Sequence, residues 1–136
     1  YHSIHKYNRA DYISIHENEL RSSFKNRDED IAYLGMQLLN KLRCNSINIT
    51  RGKKGSILLS NKVKIQCPAF AEKVIDRVGA GDVLLGITSL CMYKKLPYDI
   101  ISFLGNIASA ISIAKIGTGK KVRKIELIKF LTALLK

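Results

Sequence analysis

At 136 residues the chain is one domain's worth of sequence, and an apolar fraction of 46% against 25% charged residues excludes a disordered or low-complexity polymer. The 23 Lys and Arg outnumber the 11 Asp and Glu, for a formal net charge of +12, which suits an anionic partner. The lysines are scattered without aromatic interleaving and gather only at Lys120, Lys121, Arg123 and Lys124, which counts against nucleic-acid binding as the main role.

Residues 10–14 read as a short buried strand, followed by a helix start at residues 15–21 in which Glu17 and Glu19 supply early acids. Residues 28–43 carry Ile31, Leu34, Leu38, Leu39 and Leu42 on one face, with acids in the first turn and bases in the last, so an amphipathic helix is expected there. Residues 46–50 alternate as a strand, and residues 52–60 read as a turn and a second strand. The piece between, Thr50-Arg51-Gly52-Lys53-Lys54-Gly55, is equally the turn of a hairpin with glycine at its tight positions. Residues 62–66 alternate again, and residues 68–73 are a connector.

Residues 74–94 are the centre of the chain. A β-branched pair, Val74 and Ile75, is expected as a strand; it meets Gly79, Ala80 and Gly81, then Asp82, then an apolar helix from 81 to about 94 that is expected to be buried. Leu96 and Pro97 end this helix, and residues 98–115 form the next, where Gly105, Ala108, Ser109 and Ser112 permit close packing. A last amphipathic helix covers residues 124–135, apolar at Ile125, Ile128, Leu131 and Leu135. The longest uncharged run, residues 100–114, is too short for a bilayer and contains Gly105, Asn106 and three serines, so no membrane association is expected.

Cys44, Cys67 and Cys91 are odd in number and lack CxxC spacing, which points to reduced structural cysteines and a cytoplasmic location. His2, His5 and His16 have no ligand spacing for zinc. The first residues show no apolar leader and no initial Met, and read as a chain cut into.

Small residues at 79–81 let backbone N–H groups approach an anion, and the free amides and dipole of a helix start favour negative charge there. Asp82 then stands beside a phosphate site, where a carboxylate repels the ligand unless it has a chemical task, and general base is the obvious one. The plain alternative is a helix start with Asp82 as a dipole-favoured residue.

This stretch resembles the second signature of the PfkB/ribokinase family of carbohydrate kinases, Asp-Thr-Thr-Gly-Ala-Gly-Asp, which Asp76, Gly79, Ala80, Gly81 and Asp82 match. The resemblance implies that Asp82 takes the proton from a sugar hydroxyl while the Gly79-Ala80-Gly81 amides form an anion hole for the phosphoryl group. Three further segments follow the family's order. His16 and Glu19 stand where an Asn-x-x-Glu motif organises magnesium, which assigns Glu19, with Asp76, to the metal. Thr50, Gly52 and Gly55 match a Thr-x-Gly-x-x-Gly segment beside the ATP phosphates and ribose, with Arg51, Lys53 and Lys54 adding positive charge. Asn106, Gly117 and Thr118 correspond to the helix and Gly-rich loop bordering the adenine; Asn106 as a satisfied core amide is the alternative.

The resemblance therefore implies that residues 1–136 are the C-terminal, nucleotide-binding half of a PfkB-type kinase, a partial α/β domain of three-layer α/β/α, Rossmann-like (ribokinase-like) kind. ATP and Mg2+ are the expected cofactors and a sugar or sugar phosphate the expected substrate, with a lean toward the heptose 7-phosphate kinase branch. The family's sugar-binding N-terminal half is absent from the sequence, which implies nucleotide binding without sugar phosphorylation. It also implies an open sheet edge prone to self-association, so a homodimer is an allowed state. Arg77 and Val78 in place of two threonines, and Val83 in place of another threonine, are departures that put monovalent-cation activation in doubt, and His16 in place of Asn puts the support of magnesium in doubt. The rival readings are a degenerate, non-catalytic nucleotide-binding or regulatory module and a basic nucleic-acid-binding domain.

Overall fold

The structure, a computed structural model, describes residues 3–25, 27–71, 75–76, 78–115 and 121–135. It divides into two compact units, Tyr1–Gln66 and Cys67–Lys136.

The first unit is built on a mixed sheet of strands β1 (Tyr12–His16), β2 (Ser46–Thr50), β3 (Ser56–Ser60) and β4 (Lys64–Cys67), adjacent in that order. β1 and β2 are parallel, with His16 opposite Thr50, and parallel neighbours need a crossover. Helices α1 (Glu17–Ser22) and α2 (Ile31–Lys41) supply it. β2 and β3 are antiparallel and joined by a tight turn, with Thr50 opposite Ser56. Alternate residues Ile13, Ile15, Ile47, Ile49, Ile57 and Leu59 join Leu20 and the α2 side chains Ile31, Leu34, Leu38 and Leu39 in one core. The two-residue period of the strands and the helical period of α2 thus meet on one face.

Some boundaries differ from expectation. The first strand starts at Tyr12 rather than at residue 10, since the Ala10 N–H is spent on the Leu42 carbonyl, and only its alternate residues Ile13 and Ile15 are buried. The acids expected in the first turn of α2 lie ahead of it: Asp30 is the N-cap, its Oδ1 accepting from the Ala32 and Tyr33 amides at 3.0 Å each.

The second unit is helical among its described residues: α3 (Ala80–Tyr93), α4 (Tyr98–Ile113) and α5 (Lys124–Leu134). α3 and α4 pack closely at Gly105, where an added Cβ would lie 2.5 Å from Thr88 Cγ2 and 3.5 Å from Leu84 Cγ. Phe70 meets Phe103 edge to face with centroids 5.3 Å apart. The end of α4 is clamped to the start of α5 by Lys115, whose Nζ lies 2.8 Å from Glu126 Oε1 and donates to the Lys121 carbonyl at 2.7 Å.

Two expectations are corrected by the structure. Val74 lies outside the described residues, and Ile75 is not in a strand; its amide and that of Asp76 both donate to the single Ile113 carbonyl at 2.9 and 3.1 Å, which no ladder does. The apolar helix is not buried all round. Leu84 and Thr88 are buried against α4, but Leu85, Leu90 and Tyr93 are 40%, 65% and 81% exposed, because the described residues of its unit cover only one side of α3. Likewise α5 buries no residue fully, and Ile125, Ile128 and Leu135 are exposed. No helix among the described residues is long and apolar enough to cross a membrane.

Candidate active site

In the first unit the parallel pair brings His16 and Thr50 side by side at the carboxyl ends of β1 and β2. The crevice outside such strand ends is where open α/β sheets take ligands. His16 closes β1 and caps α1: its Nδ1 accepts from the Asn18 amide at 3.2 Å, while its own amide donates to Glu19 Oε2 at 3.2 Å. This reciprocal capping box explains why a histidine can stand at this position, since Nδ1 supplies the acceptor a cap needs. It also occupies one Glu19 oxygen.

Thr50 leads into the turn. Gly52 and Gly55 adopt left-handed backbone, φ 57° and 80°, and the turn is closed by Arg51 N–H to Gly55 O at 2.8 Å and Gly55 N–H to Gly52 O at 3.0 Å. The plain hairpin reading is therefore correct as to shape, with a short 3-10 turn at Gly52–Lys54. Lys53 and Lys54 are exposed, but Arg51 is not available as free charge. Its Nε donates to Glu17 Oε2 at 3.0 Å, and Glu17 Oε1 accepts from Arg21 Nη2 at 2.9 Å. Burial pushes the Glu17 carboxyl upward, yet the hydrogen bonds and charges of Arg51 and Arg21 outweigh it and hold the group below its ordinary value. The expectation that Arg51 adds positive charge to the site is thus corrected by its pairing. Sequence reading saw Glu17 only as a helix starter; its spacing of four from Arg21 was a legible signal, and its tie to Arg51 was not.

In the second unit Asp76 is half-buried, and its Oδ1 accepts from the Val78 amide at 3.0 Å, which shapes the turn. Gly79 is the N-cap of α3 with φ 79°, a conformation that costs an L-residue and not glycine. Gly79 has no side chain to cap this helix start, and a Cβ at Gly79 or Gly81 would meet nothing within 4 Å among the described residues. Among the described residues the first-turn amides of Ala80, Gly81 and Asp82 thus stand at an open N-terminus. Asp82 is exposed in that first turn.

Asn106 is 7% exposed, and its Nδ2 donates to the Ser102 carbonyl one turn back at 2.8 Å, the geometry of a satisfied core amide. Gly117, Thr118 and Arg77 lie outside the described residues. Among the described residues no group of three or more His, Cys, Asp or Glu could hold a metal ion. A magnesium ion that arrives on nucleotide phosphates needs only one or two carboxylates.

The sequence profile described as pfkB family carbohydrate kinase matches residues 3–125. Over 92 residues the chain is 35% identical to the Bifunctional protein HldE of Haemophilus ducreyi, an alignment covering 67% of this chain and 19% of that protein. The chain therefore spans about a fifth of the length of that curated relative. Among solved structures, ribokinase from Thermotoga maritima superposes with a TM-score of 0.80 at 24% identity, over 90% of this chain and 42% of that one. Ribokinase of Arabidopsis thaliana complexed with ribose and ATP superposes with a TM-score of 0.81 at 21% identity, over 91% of this chain and 41% of that one. These likenesses fix the fold as a partial α/β, Rossmann-like domain of ribokinase-like kind.

Proposed function

The chain belongs to the pfkB family of carbohydrate kinases, and from that membership we propose that residues 1–136 are the nucleotide-binding, C-terminal part of an enzyme moving a phosphoryl group from ATP to a hydroxyl of a sugar or sugar phosphate. The observation that carries this reading is the start of α3: an uncapped helix N-terminus opened by left-handed Gly79, with an exposed carboxylate, Asp82, in its first turn. Phosphoryl transfer asks the protein for little covalent chemistry and much positioning of charge. In this reading Asp82 accepts the proton of the attacking hydroxyl, and the amides following Gly79 bind the oxygens of the transferring group. Thr50, Gly52 and Gly55 serve the phosphates and ribose, and Asn106 and Gly117 border the base.

The ribokinase solved with ribose and ATP supports the choice of ATP. Glu19 in the first unit and Asp76 in the second are each offered as a carboxylate toward magnesium through water, and the ion would supply neutralisation of the phosphate oxygens. The similarity to HldE supports the lean toward a heptose 7-phosphate as acceptor. A location in the cytoplasm suits three free cysteines, of which Cys44 and Cys67 are buried.

A second reading, a nucleotide-binding module without catalysis, is favoured by His16, whose Nδ1 is committed to the α1 cap. One experiment separates the two. Calorimetric titration of ATP with magnesium into the chain, followed by a coupled assay for ADP release with sugars and sugar phosphates, is expected to show nucleotide binding. ADP release from residues 1–136 themselves is expected to stay at background, and to appear when Asp82 is carried in an enzyme that also holds the sugar. Binding without turnover in that complete enzyme would select the second reading, and absence of ATP binding would overturn both.

A further inference from the structure

We propose that Glu17 is a positioning residue for the turn Arg51–Gly55, bracing it through Arg51 so that the backbone of Gly52 and Gly55 is held ready for nucleotide phosphates. The inference rests on the reading that this turn faces a nucleotide.

The geometry follows from the sheet. His16 and Thr50 are register partners at the ends of parallel strands, so the next residue on each chain, Glu17 and Arg51, emerges at the same edge. Their side chains close a bond across 34 residues of sequence, Arg51 Nε to Glu17 Oε2 at 3.0 Å, with both side chains only 20% and 16% exposed. A shielded pair of this kind is worth more than an exposed one.

Apart from the buried Gly55, the turn has little else among the described residues to hold it. A Cβ at Gly52 would meet nothing within 4 Å, and the turn's own closures are backbone bonds among Arg51, Gly52, Lys54 and Gly55. Among the described residues Arg51 supplies the side-chain bond that ties the turn to the remainder of the unit. Glu17 is itself fixed. Its Oε1 accepts from Nε and Nη2 of Arg21 at 3.0 and 2.9 Å, and Arg21 Nη1 donates to the carbonyls of Arg27 and Glu29 at 2.6 and 2.9 Å. The brace therefore runs from the chain ahead of α2, through α1, into the turn. Arg51 is consumed in this frame, and the exposed lysines, Lys53 and Lys54, are left as the turn's solvent-facing charge.

Glu17→Gln and Arg51→Gln, alone and together in the full chain, test this by two readouts. Hydrogen exchange over residues 51–55 should quicken about tenfold in each single variant while the amides of β2 keep their protection, since a merely structural loss would loosen both. The ATP-magnesium dissociation constant from calorimetry should rise about tenfold in each single variant and no further in the double, the signature of two groups acting as one. Unchanged exchange in the turn of Glu17→Gln overturns the brace whatever happens to ATP. Affinity losses that multiply in the double variant also overturn it, because they give Arg51 a contact of its own with the ligand. A turn that loosens as expected in a chain whose wild type binds no ATP upholds the brace and overturns the nucleotide reading instead.

Discussion

Gly105 of α4 lies so close to Thr88 of α3 that a methyl group on the glycine would sit 2.5 Å from Thr88 Cγ2. Thr88 cannot easily swing away, because it is fully buried and its Oγ1 donates to the Leu84 carbonyl at 2.7 Å. Gly105→Ala gains about 1 kcal/mol of helix propensity but meets overpacking that costs about 1–3 kcal/mol, so a net loss of up to about 2 kcal/mol is expected. Thr88→Ser removes Cγ2 and keeps the hydroxyl. In that background Gly105→Ala should become stabilising, and urea midpoints of the four proteins check the change of sign.

Asp82 is the proposed proton acceptor. Asp82→Asn in a complete enzyme is expected to lower kcat by about 10² to 10⁴ while the KM for ATP stays within a small factor, as befits a group used only in the transition state. Steady-state kinetics with ATP varied at saturating sugar decide it; unchanged turnover removes Asp82 from the mechanism.

Asn48 in the middle of β2 is fully buried, and among the described residues neither atom of its amide has a hydrogen-bond partner. An unpaired buried polar group costs about 1–3 kcal/mol, and leucine fills nearly the same shape. Asn48→Leu should therefore raise the unfolding free energy by about 1 kcal/mol at unchanged m-value. A lower midpoint in urea would mean that the amide is satisfied in solution.

Glu126 is held down to a pKa of about 2 from an ordinary 4.5, first by its hydrogen bond from Lys115, then by the Arg123 amide. Because the folded value is depressed, its contribution to stability is present above about pH 4.5 and is lost as pH falls toward 2. The contribution is small, since the group is solvated. NMR titration of the Glu126 carboxyl should give the low value in the parent and a higher one in Lys115→Met, still below 4.5 because the Arg123 amide remains.

Local chemistry made much of this legible. The α2 face, Ile31, Leu34 and Leu38, shows in the sequence because helical period and burial coincide there. The opening of α3 shows because Gly79 needs a left-handed backbone, a property of the residue itself. What failed depended on partners far along the chain. Leu90 and Tyr93 read as core because their side chains are apolar, but exposure is decided by what lies opposite, and none of the described residues of their unit does. Arg51 read as spare charge for the same reason: its pairing with Glu17 depends on the register of β1 against β2, and no window of sequence contains both.

The cap on α1 fixes the chemistry His16 can offer outward. An Nδ1 that accepts the Asn18 amide leaves the imidazole proton on Nε2, so the neutral ring has one tautomer here and its far edge is a donor. An oxygen of a phosphate or of water can take that proton's hydrogen bond, but a cation finds no lone pair. The asparagine whose place His16 takes presents a carbonyl oxygen as well as an amide, and only the donating half of that exchange survives. On the proposed reading, a magnesium ion near this strand end would have the remaining Glu19 oxygen and water, not His16, to turn to.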